Sequence, residues 1–274
     1  MPTLNKIFVI IDPTTDNQAA LTNAAWVASQ NQSIALHVYE AVYSTSDNAD
    51  GEALKRVELA RHRAWVNTLV EPIRAAGTGV TVEIDWTSKW RDAIAPAAKR
   101  AEADLIVKTA SVHSGAERRL LKTSDWSLLR NSHCPVYLIK RDSVPVRVKM
   151  LLALDIKRED ELHNTLNERV IEYGRALIES VPESSLYAVN AYSDSAHYVY
   201  PDALAAKIGI DKTAAHCVQG PPEKVIPEVA AQLDASIVVI GTVARDGLKA
   251  AMIGNTAEKI LDSLNTNILT VVAQ

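Results

Sequence analysis

Cysteine and long apolar runs are scarce in this chain. Only Cys134 and Cys217 occur among its 274 residues, whereas a disulfide framework needs more cysteines at patterned spacings. No stretch approaches the roughly eighteen apolar residues of a membrane-spanning helix, and the first residues lack the basic region and cleavage site of a secretory signal. We therefore expect a protein of a reducing cytoplasm that does not contact a membrane.

An excess of charge of one sign is also lacking. The chain has 29 basic and 33 acidic side chains, which gives a formal net charge of −4. Proteins that bind polyanions concentrate positive charge on one surface, and the composition shows no such excess. Nucleic acid is therefore not an expected partner.

Sequence motifs of several enzyme classes are missing as well. There is no Gly-x-x-x-x-Gly-Lys-Ser/Thr phosphate loop, no Gly-x-Gly-x-x-Gly after either predicted first strand, and no Gly-x-Ser-x-Gly turn. Two His-Cys dipeptides, at 133–134 and 216–217, lie near predicted strand starts, where adjacent side chains point to opposite faces and form no dyad. The remaining histidines have no metal-ligand spacing. Enzymatic activity is left open but is not favoured.

What the sequence does contain is an alternation of strand and helix patterns. Apolar runs rich in β-branched residues alternate with helical periodicity, which is typical of a buried parallel sheet with crossover helices. One helical face carries Val66, Leu69, Val70 and Ile73, and Pro72 is expected to bend or shorten that helix. The strands of the first half are predicted at residues 5–12, 33–42, 80–86, 104–109 and 134–140.

The same order of elements occurs twice. Over the later part of each half the offset is a constant 132 residues, because Leu105-Ile106-Val107 maps onto Ile237-Val238-Val239 and Val136 onto Ile268. The other matches at this offset are Ile94 with Ile226 and Leu128-Leu129 with Ile260-Leu261.

The front of the repeat has a different offset. Asp12 corresponds to Asp155, 143 residues later, so the second half has lost 11 residues upstream of its third strand, predicted to be most of one helix. Residues 193–210, which include His197, Tyr198 and Tyr200, stand in its place. They are interpreted as a short helix or a lid, with an ordinary surface loop as the favoured alternative.

The repeat predicts an α/β fold of two tandem domains, residues 1–141 and 148–274, each with a five-stranded, mostly parallel sheet flanked by helices. The linker, residues 141–147, is too short for independent movement. The last strands, 134–140 and 266–272, would be exposed apolar edges unless they paired with each other. We expect an intramolecular pseudo-dimer, and a further homodimer stays open.

A glycine-bearing segment at residues 241–258 is the strongest functional signal. Gly241, Gly247 and Gly254 bracket a loop that leaves a buried strand and enters a helix. Glycine lets a ligand approach the backbone, and the first amides of a helix offer unpaired N–H donors to an anion. The segment therefore has the features of a phosphate cradle. Its polar residues that could cap the helix or reach an anion are Arg245, Lys249, Asn255 and Thr256.

The spacing of this segment resembles the adenine-nucleotide motif of the universal stress protein family, which is Gly-x-x-Gly, nine residues, Gly, then Ser or Thr. Gly241 matches the first glycine, Ala244 replaces the second, and Gly254 follows the nine intervening residues 245–253. Asn255 occupies the hydroxyl position, with Thr256 one place further.

The particular residues at 253–258 and at 124–126 resemble the tandem, E-type branch of that family, and the likeness covers essentially the whole chain. The resemblance implies an adenine nucleotide alpha hydrolase-like fold in each half and a role as a stress-response ligand-binding protein. It also implies that an acid after the first strand contacts the nucleoside. That acid is Asp155 in the second half, with Asp12 as its counterpart.

The first half departs from the motif, since Thr109 replaces Gly241 and Val112 replaces Ala244. ATP is therefore expected in the second domain only, with magnesium only if ATP is bound. The alternatives are a slow ATP hydrolase, a carrier or sensor of an amphipathic metabolite, and a vestigial loop whose glycines serve only a turn. The expected site consists of Asp155, Gly241, Thr242, Ala244, Arg245, Gly247, Gly254, Asn255 and Thr256.

Overall fold

The computed structural model describes residues 4–43, 50–110, 123–158, 160–181, 183–242 and 255–272. The first half contains β1 (Lys6–Ile10), α1 (Ala19–Gln30), β2 (Ala35–Tyr43), α2 (Asp50–Ala75), β3 (Val80–Thr87), α3 (Trp90–Arg100), β4 (Leu105–Thr109), α4 (Thr123–Asn131) and β5 (Val136–Ile139). The second half contains β6 (Lys149–Leu154), α5 (Glu161–Glu179), β7 (Ser185–Tyr192), α6 (Pro201–Ile208), β8 (Ala215–Gln219), α7 (Pro222–Gln232), β9 (Ile237–Thr242), α8 (Asn255–Ser263) and β10 (Asn267–Val272), with 3₁₀ turns at Ser195–His197 and Lys212–Ala214. Within these ranges, no helix has the length and apolar character needed to cross a bilayer.

The strands of both halves form one ten-stranded sheet in the order β3-β2-β1-β4-β5-β10-β9-β6-β7-β8. Each half contributes five parallel strands, and the two halves meet where β5 and β10 pair antiparallel. This is the pairing expected for the two last strands. It covers two apolar edges at once, because every residue of β5 and β10 is buried.

The register of the central pair is symmetric. Tyr137 lies opposite Leu269, Val136 opposite Thr270 and Leu138 opposite Ile268. Tyr137 and Leu269 are equivalent positions at the offset of 132, so this pair marks a local two-fold axis through the sheet.

Two helical layers cover the sheet. α1, α2, α5 and α6 pack on one face and α3, α4, α7 and α8 on the other. The repeat register holds in the core, since Ile94 and Ile226 are both buried, as are Leu128 and Ile260. Equivalent sequence positions therefore occupy equivalent places in the packing.

The lengths of the helices explain the changing offset. α5 has 19 residues where α1 has 12, and α6 has 8 where α2 has 26. The predicted shortening of one helix is confirmed, but it is preceded by a lengthening of another. The preference for a surface loop at 193–210 was wrong, because α6 forms there and buries Leu204 and Ile208. The helix α2 is not stopped by Pro72 and continues to Ala75, since a proline in the last turn removes few hydrogen bonds.

Candidate functional site

A cleft of about 620 Å³ opens at the carboxyl ends of β6 and β9. Asp155 follows β6, Gly241 lies near the end of β9, and Thr256 is the second residue of α8. The side wall comes from α5 and includes Leu166 and Asn167. The carboxyl edge of a parallel sheet is where ligands bind in open α/β folds. Three residues expected from sequence to share a site thus line one cavity.

Asp155 is held by its backbone, which leaves its carboxylate at the mouth of the cleft. The Asp155 N–H donates to Asn167 Oδ1 at 3.2 Å, and Asn167 Nδ2 donates to the Asp155 carbonyl at 2.9 Å. Asn190 Oδ1 accepts from the next backbone N–H, that of Ile156, at 3.0 Å. Both asparagines are buried, whereas Asp155 is exposed. Buried amides that satisfy backbone groups fix the position of the acid without occupying its side chain.

Gly241 has a packing reason to be glycine. A Cβ at this position would lie 3.1 Å from Leu166 Cδ2 and 3.5 Å from Val170 Cγ2, both on α5. A side chain would push α5 away from β9 or fill the base of the cleft. The glycine therefore sets the width of the cavity, whatever it also offers to a ligand.

The rim of the cleft carries a small charged network that the sequence analysis missed. Asp160 caps α5 by accepting from the His163 backbone N–H at 3.1 Å and from His163 Nδ1 at 2.7 Å. Arg158 Nε donates to the other carboxylate oxygen at 3.0 Å. The hydrogen bonds from His163 lower the pKa of Asp160 to about 2. Arg158, Asp160 and His163 all line the cleft, and the Asp-x-x-His spacing is the sequence signal that could have pointed to this network.

A second cavity of about 640 Å³ adjoins the cleft. It shares Asp155 and Arg158 with the first cavity and is also lined by Tyr192, Ser193 and His197. Tyr198 contacts the ring of Tyr192 at a centroid distance of 5.2 Å, so the segment that follows β7 forms the outer wall. The two cavities make one groove across the carboxyl edge.

The remaining expected site residues divide into two groups. Thr242 is buried and its hydroxyl donates to the Val271 carbonyl at 3.4 Å, so the structure directs it to β10 and not into the cleft. Asn255 begins α8. The residues that lie outside the described part of the chain are Ala244, Arg245, Gly247 and Gly254.

At the corresponding positions of the first half, the described side chains contact one another or nearby backbone groups. Lys108, Thr109 and Asp125 stand 132 residues before Ile240, Gly241 and Ala257, which all line the cleft. Lys108 Nζ lies 2.6 Å from Asp125 Oδ1, and both side chains are buried.

Two further contacts engage the groups that would face a ligand in the first half. Thr109 Oγ1 accepts from the Ala20 backbone N–H at 3.0 Å. The Asp12 carboxylate accepts from both the backbone and the hydroxyl of Thr14, at 2.9 and 2.6 Å. The acid of the first half is therefore occupied by a local turn.

The cysteines are not activated. Burial raises the pKa of the Cys134 thiol to about 12, and burial also raises the pKa of Cys217. A protonated thiol is a poor nucleophile and a poor metal ligand. No group of three or more metal-ligating side chains is found among the described residues.

These features define a tandem α/β protein whose second half has an open cleft and whose first half has a buried ion pair at the equivalent positions. Residues 3–140 and 153–271 each match the family model described as the universal stress protein family, and the chain belongs to that family. It is 29% identical over 299 residues to universal stress protein E of Escherichia coli strain K12, covering 99% of this chain and 95% of the relative. A homologue of that protein in Haemophilus influenzae is 27% identical, covering 97% and 96%.

Solved structures show the same architecture over the full length. A protein of unknown function from Pseudomonas aeruginosa PAO1 superposes with a TM-score of 0.83 at 26% identity, covering 99% of this chain and 94% of that one. A universal stress protein from Archaeoglobus fulgidus has a TM-score of 0.76 at 17% identity and covers 99% of both chains. The tandem α/β fold, with a mostly parallel sheet flanked by helices, is thereby confirmed.

Proposed function

We propose that this universal stress protein is a cytoplasmic stress-response protein that binds an adenine nucleotide, ATP in the first instance, in the cleft of its second half. The observation that carries the proposal is the convergence of Asp155, Gly241 and Thr256 on one cavity. They come from a strand end, a second strand end and a helix start that are far apart in sequence. The scarcity of cysteine supports the cytoplasmic location.

The chemistry of the cleft suits a nucleotide. The amino end of α8 supplies backbone N–H groups and a positive dipole to phosphate, and the exposed Thr256 hydroxyl adds a donor. Arg158 adds a positive charge at the rim, and the Asp155 carboxylate is placed to accept from ribose hydroxyls. A magnesium ion would enter with ATP and be held chiefly by phosphate oxygens, as this hard cation prefers.

Hydrolysis of ATP is the weaker alternative. A general base needs a carboxylate or imidazole that can accept a proton near neutral pH. Asp160 is bound by Arg158 and His163 and has a pKa of about 2, so it is a poor base. We therefore propose binding without efficient turnover.

A carrier of an amphipathic metabolite is the second candidate. The groove continues from Asp155 into the adjoining cavity beside Tyr192 and His197. A ligand longer than a mononucleotide would use both cavities.

A matched pair of variants tests the nucleotide site. We expect Asp155→Asn to weaken ATP binding by at least about tenfold, or about 1.4 kcal/mol, and Asp12→Asn to leave it unchanged, by isothermal titration calorimetry. Equal effects of the two variants, or none, would reject the assigned site.

Mass spectrometry of ligand extracted from freshly purified protein separates the two candidate functions. An adenine nucleotide supports nucleotide binding, and a larger amphipathic molecule supports the carrier.

We further propose that the boundaries 1–141 and 148–274 define two domains that form an intramolecular pseudo-dimer about the pair Tyr137 and Leu269. The symmetric register of β5 and β10 supports this arrangement. A further homodimer is testable by analytical ultracentrifugation.

A further inference from the structure

A third cavity, of about 380 Å³, lies between the halves and away from the nucleotide cleft. It opens at the amino ends of β1, β4 and β5 and is closed on one side by α5. Its apolar walls include Leu105, Leu177 and Leu269. The volume falls in the range of small-molecule pockets, about 300–1,000 Å³.

One end of this cavity carries a fixed negative charge. Asp104 Oδ2 accepts from the backbone N–H groups of Asn5 and Lys6 at 2.8 and 2.9 Å, which hold the carboxylate in place. The ammonium of Lys6 is directed elsewhere, to the Ala101 carbonyl at 2.7 Å. Tyr173 of α5 lines the cavity, and Arg169 lies one turn before it. The Arg169 guanidinium donates to the Val272 carbonyl. Among the described residues that line the cavity, none is a lysine or arginine.

The other polar groups of the cavity are neutral or unsatisfied. Burial raises the pKa of the Tyr173 phenol and that of the Cys134 thiol, so both stay protonated. His133 also lines the cavity, and its buried Nδ1 has no hydrogen-bond partner. A buried polar atom without a partner is uncommon in a finished core and indicates that the site is incomplete.

The local two-fold axis relates this cavity to a region of different chemistry, where a cavity of about 310 Å³ is lined by Ser236 and by several basic side chains. There Tyr137 replaces Leu269 and its hydroxyl accepts from Asn267. Thr266 replaces Cys134 and donates to the Ala235 carbonyl at 2.6 Å.

The acid has a neutral counterpart in the symmetry-related region. Ser236 replaces Asp104 and donates to the Arg147 carbonyl of the linker at 3.2 Å. The two related cavities thus differ in charge, because the described lining of the first has an acid and no basic side chain, whereas basic side chains line the second.

We propose that this cavity binds a small organic cation with an aromatic or apolar body. The ammonium pairs with the Asp104 carboxylate, and the body packs against Leu105, Leu177 and Leu269. An anion of the same size is disfavoured, because it would lie beside the Asp104 carboxylate and no described lining residue is a lysine or arginine. The cavity shares no lining residue with the proposed nucleotide cleft, and its proposed ligand is opposite in charge to a nucleotide. The two sites can therefore be tested independently.

Three compounds that share one ring system test the charge preference: tryptamine, indole and indole-3-acetate. By isothermal titration calorimetry at pH 7, we expect tryptamine to bind at least about tenfold more tightly than indole-3-acetate, with indole between them. Asp104→Asn keeps an oxygen for the two backbone N–H groups and should remove the preference for tryptamine over indole. Ser236→Ala, at the symmetry-related position, should leave all three affinities unchanged.

Filling the cavity provides a second, charge-independent variant. Ala176→Trp, from the half-buried face of α5, should abolish binding of all three compounds while the thermal unfolding temperature stays within a few degrees of the parent. Absence of tryptamine binding to the parent protein, equal affinity for the cation and the anion, or binding unchanged by Asp104→Asn would each overturn the proposal.

Discussion

Lys108 and Asp125 form a buried ion pair at 2.6 Å in the place where the second half has Ile240 and Ala257. Lys108 also donates to the Thr109 carbonyl at 2.9 Å. The same backbone scaffold therefore holds two apolar residues at the open cleft of the second half and two charged residues at the equivalent positions of the first half. This difference between the halves lies in the side chains and not in the fold.

Removing one partner of this ion pair should lower the free energy of unfolding more than replacing both partners with apolar residues. Lys108→Ile alone removes the cation that pairs with the buried Asp125, and we expect it to lower the free energy of unfolding by about 3–5 kcal/mol. The double variant Lys108→Ile with Asp125→Ala reproduces the pair of the second half and should recover most of that loss. Urea denaturation measures both. A double variant as unstable as the single one would show that the pair is not a self-contained unit.

Much of the fold could be predicted from the sequence because periodicity reports which residues are buried. The constant offset of 132 identified equivalent strands, and the apolar character of the two last strands indicated their pairing. Both inferences need only the hydrophobic pattern and the rule that sheet edges must be covered.

Side-chain partnerships could not be predicted in the same way. Lys108 lies in a strand pattern and Asp125 in a helix 17 residues later, and only the packing of α4 over β4 brings them together. Arg158 and His163 escaped notice because their place at the cleft depends on where α5 begins. Periodicity indicates a face of an element but not what lies opposite that face.

Adding a methyl group at Gly241 should lower the stability of the folded protein by a measurable amount. The added Cβ would lie 3.1 Å from Leu166 Cδ2, so the leucine must shift, and we expect Gly241→Ala to destabilise the protein by about 1–3 kcal/mol. Gly79→Ala is the control, since its Cβ would have only an ordinary contact of 3.8 Å. In a double-mutant cycle, Leu166→Ala should cancel part of the Gly241 cost. If the two substitutions lower the free energy of unfolding additively, the strain from the added methyl group does not arise from its contact with Leu166.

Lys140 should tie the stability of one half to the other. Its buried ammonium donates to the carbonyls of Leu261 and Leu264 at 2.6 and 2.8 Å, which end α8 of the second half. Lys140→Met removes these donors and should cost about 1–3 kcal/mol, whereas Arg141→Met, whose solvent-accessible side chain donates to the Asn265 carbonyl and pairs with Asp234, should cost less than about 1 kcal/mol. Denaturant unfolding followed by fluorescence distinguishes the two. Equal losses of unfolding free energy in the two variants would mean that the carbonyl groups at the end of α8 do not need Lys140 as a hydrogen-bond donor.

The cap of α5 should make stability depend on pH in the acid range. The pKa of Asp160 is lowered to about 2 by its hydrogen bonds with His163, so the ionised cap stabilises the folded state above the ordinary aspartate pKa. That stabilisation is lost as the pH falls through the folded-state value. Asp160→Asn keeps an acceptor but removes the charge. We therefore expect the difference in unfolding free energy between parent and variant to be constant above about pH 5 and to shrink toward pH 3, by urea titration. A difference independent of pH would show that the cap acts through hydrogen-bond geometry alone, without a contribution from its charge.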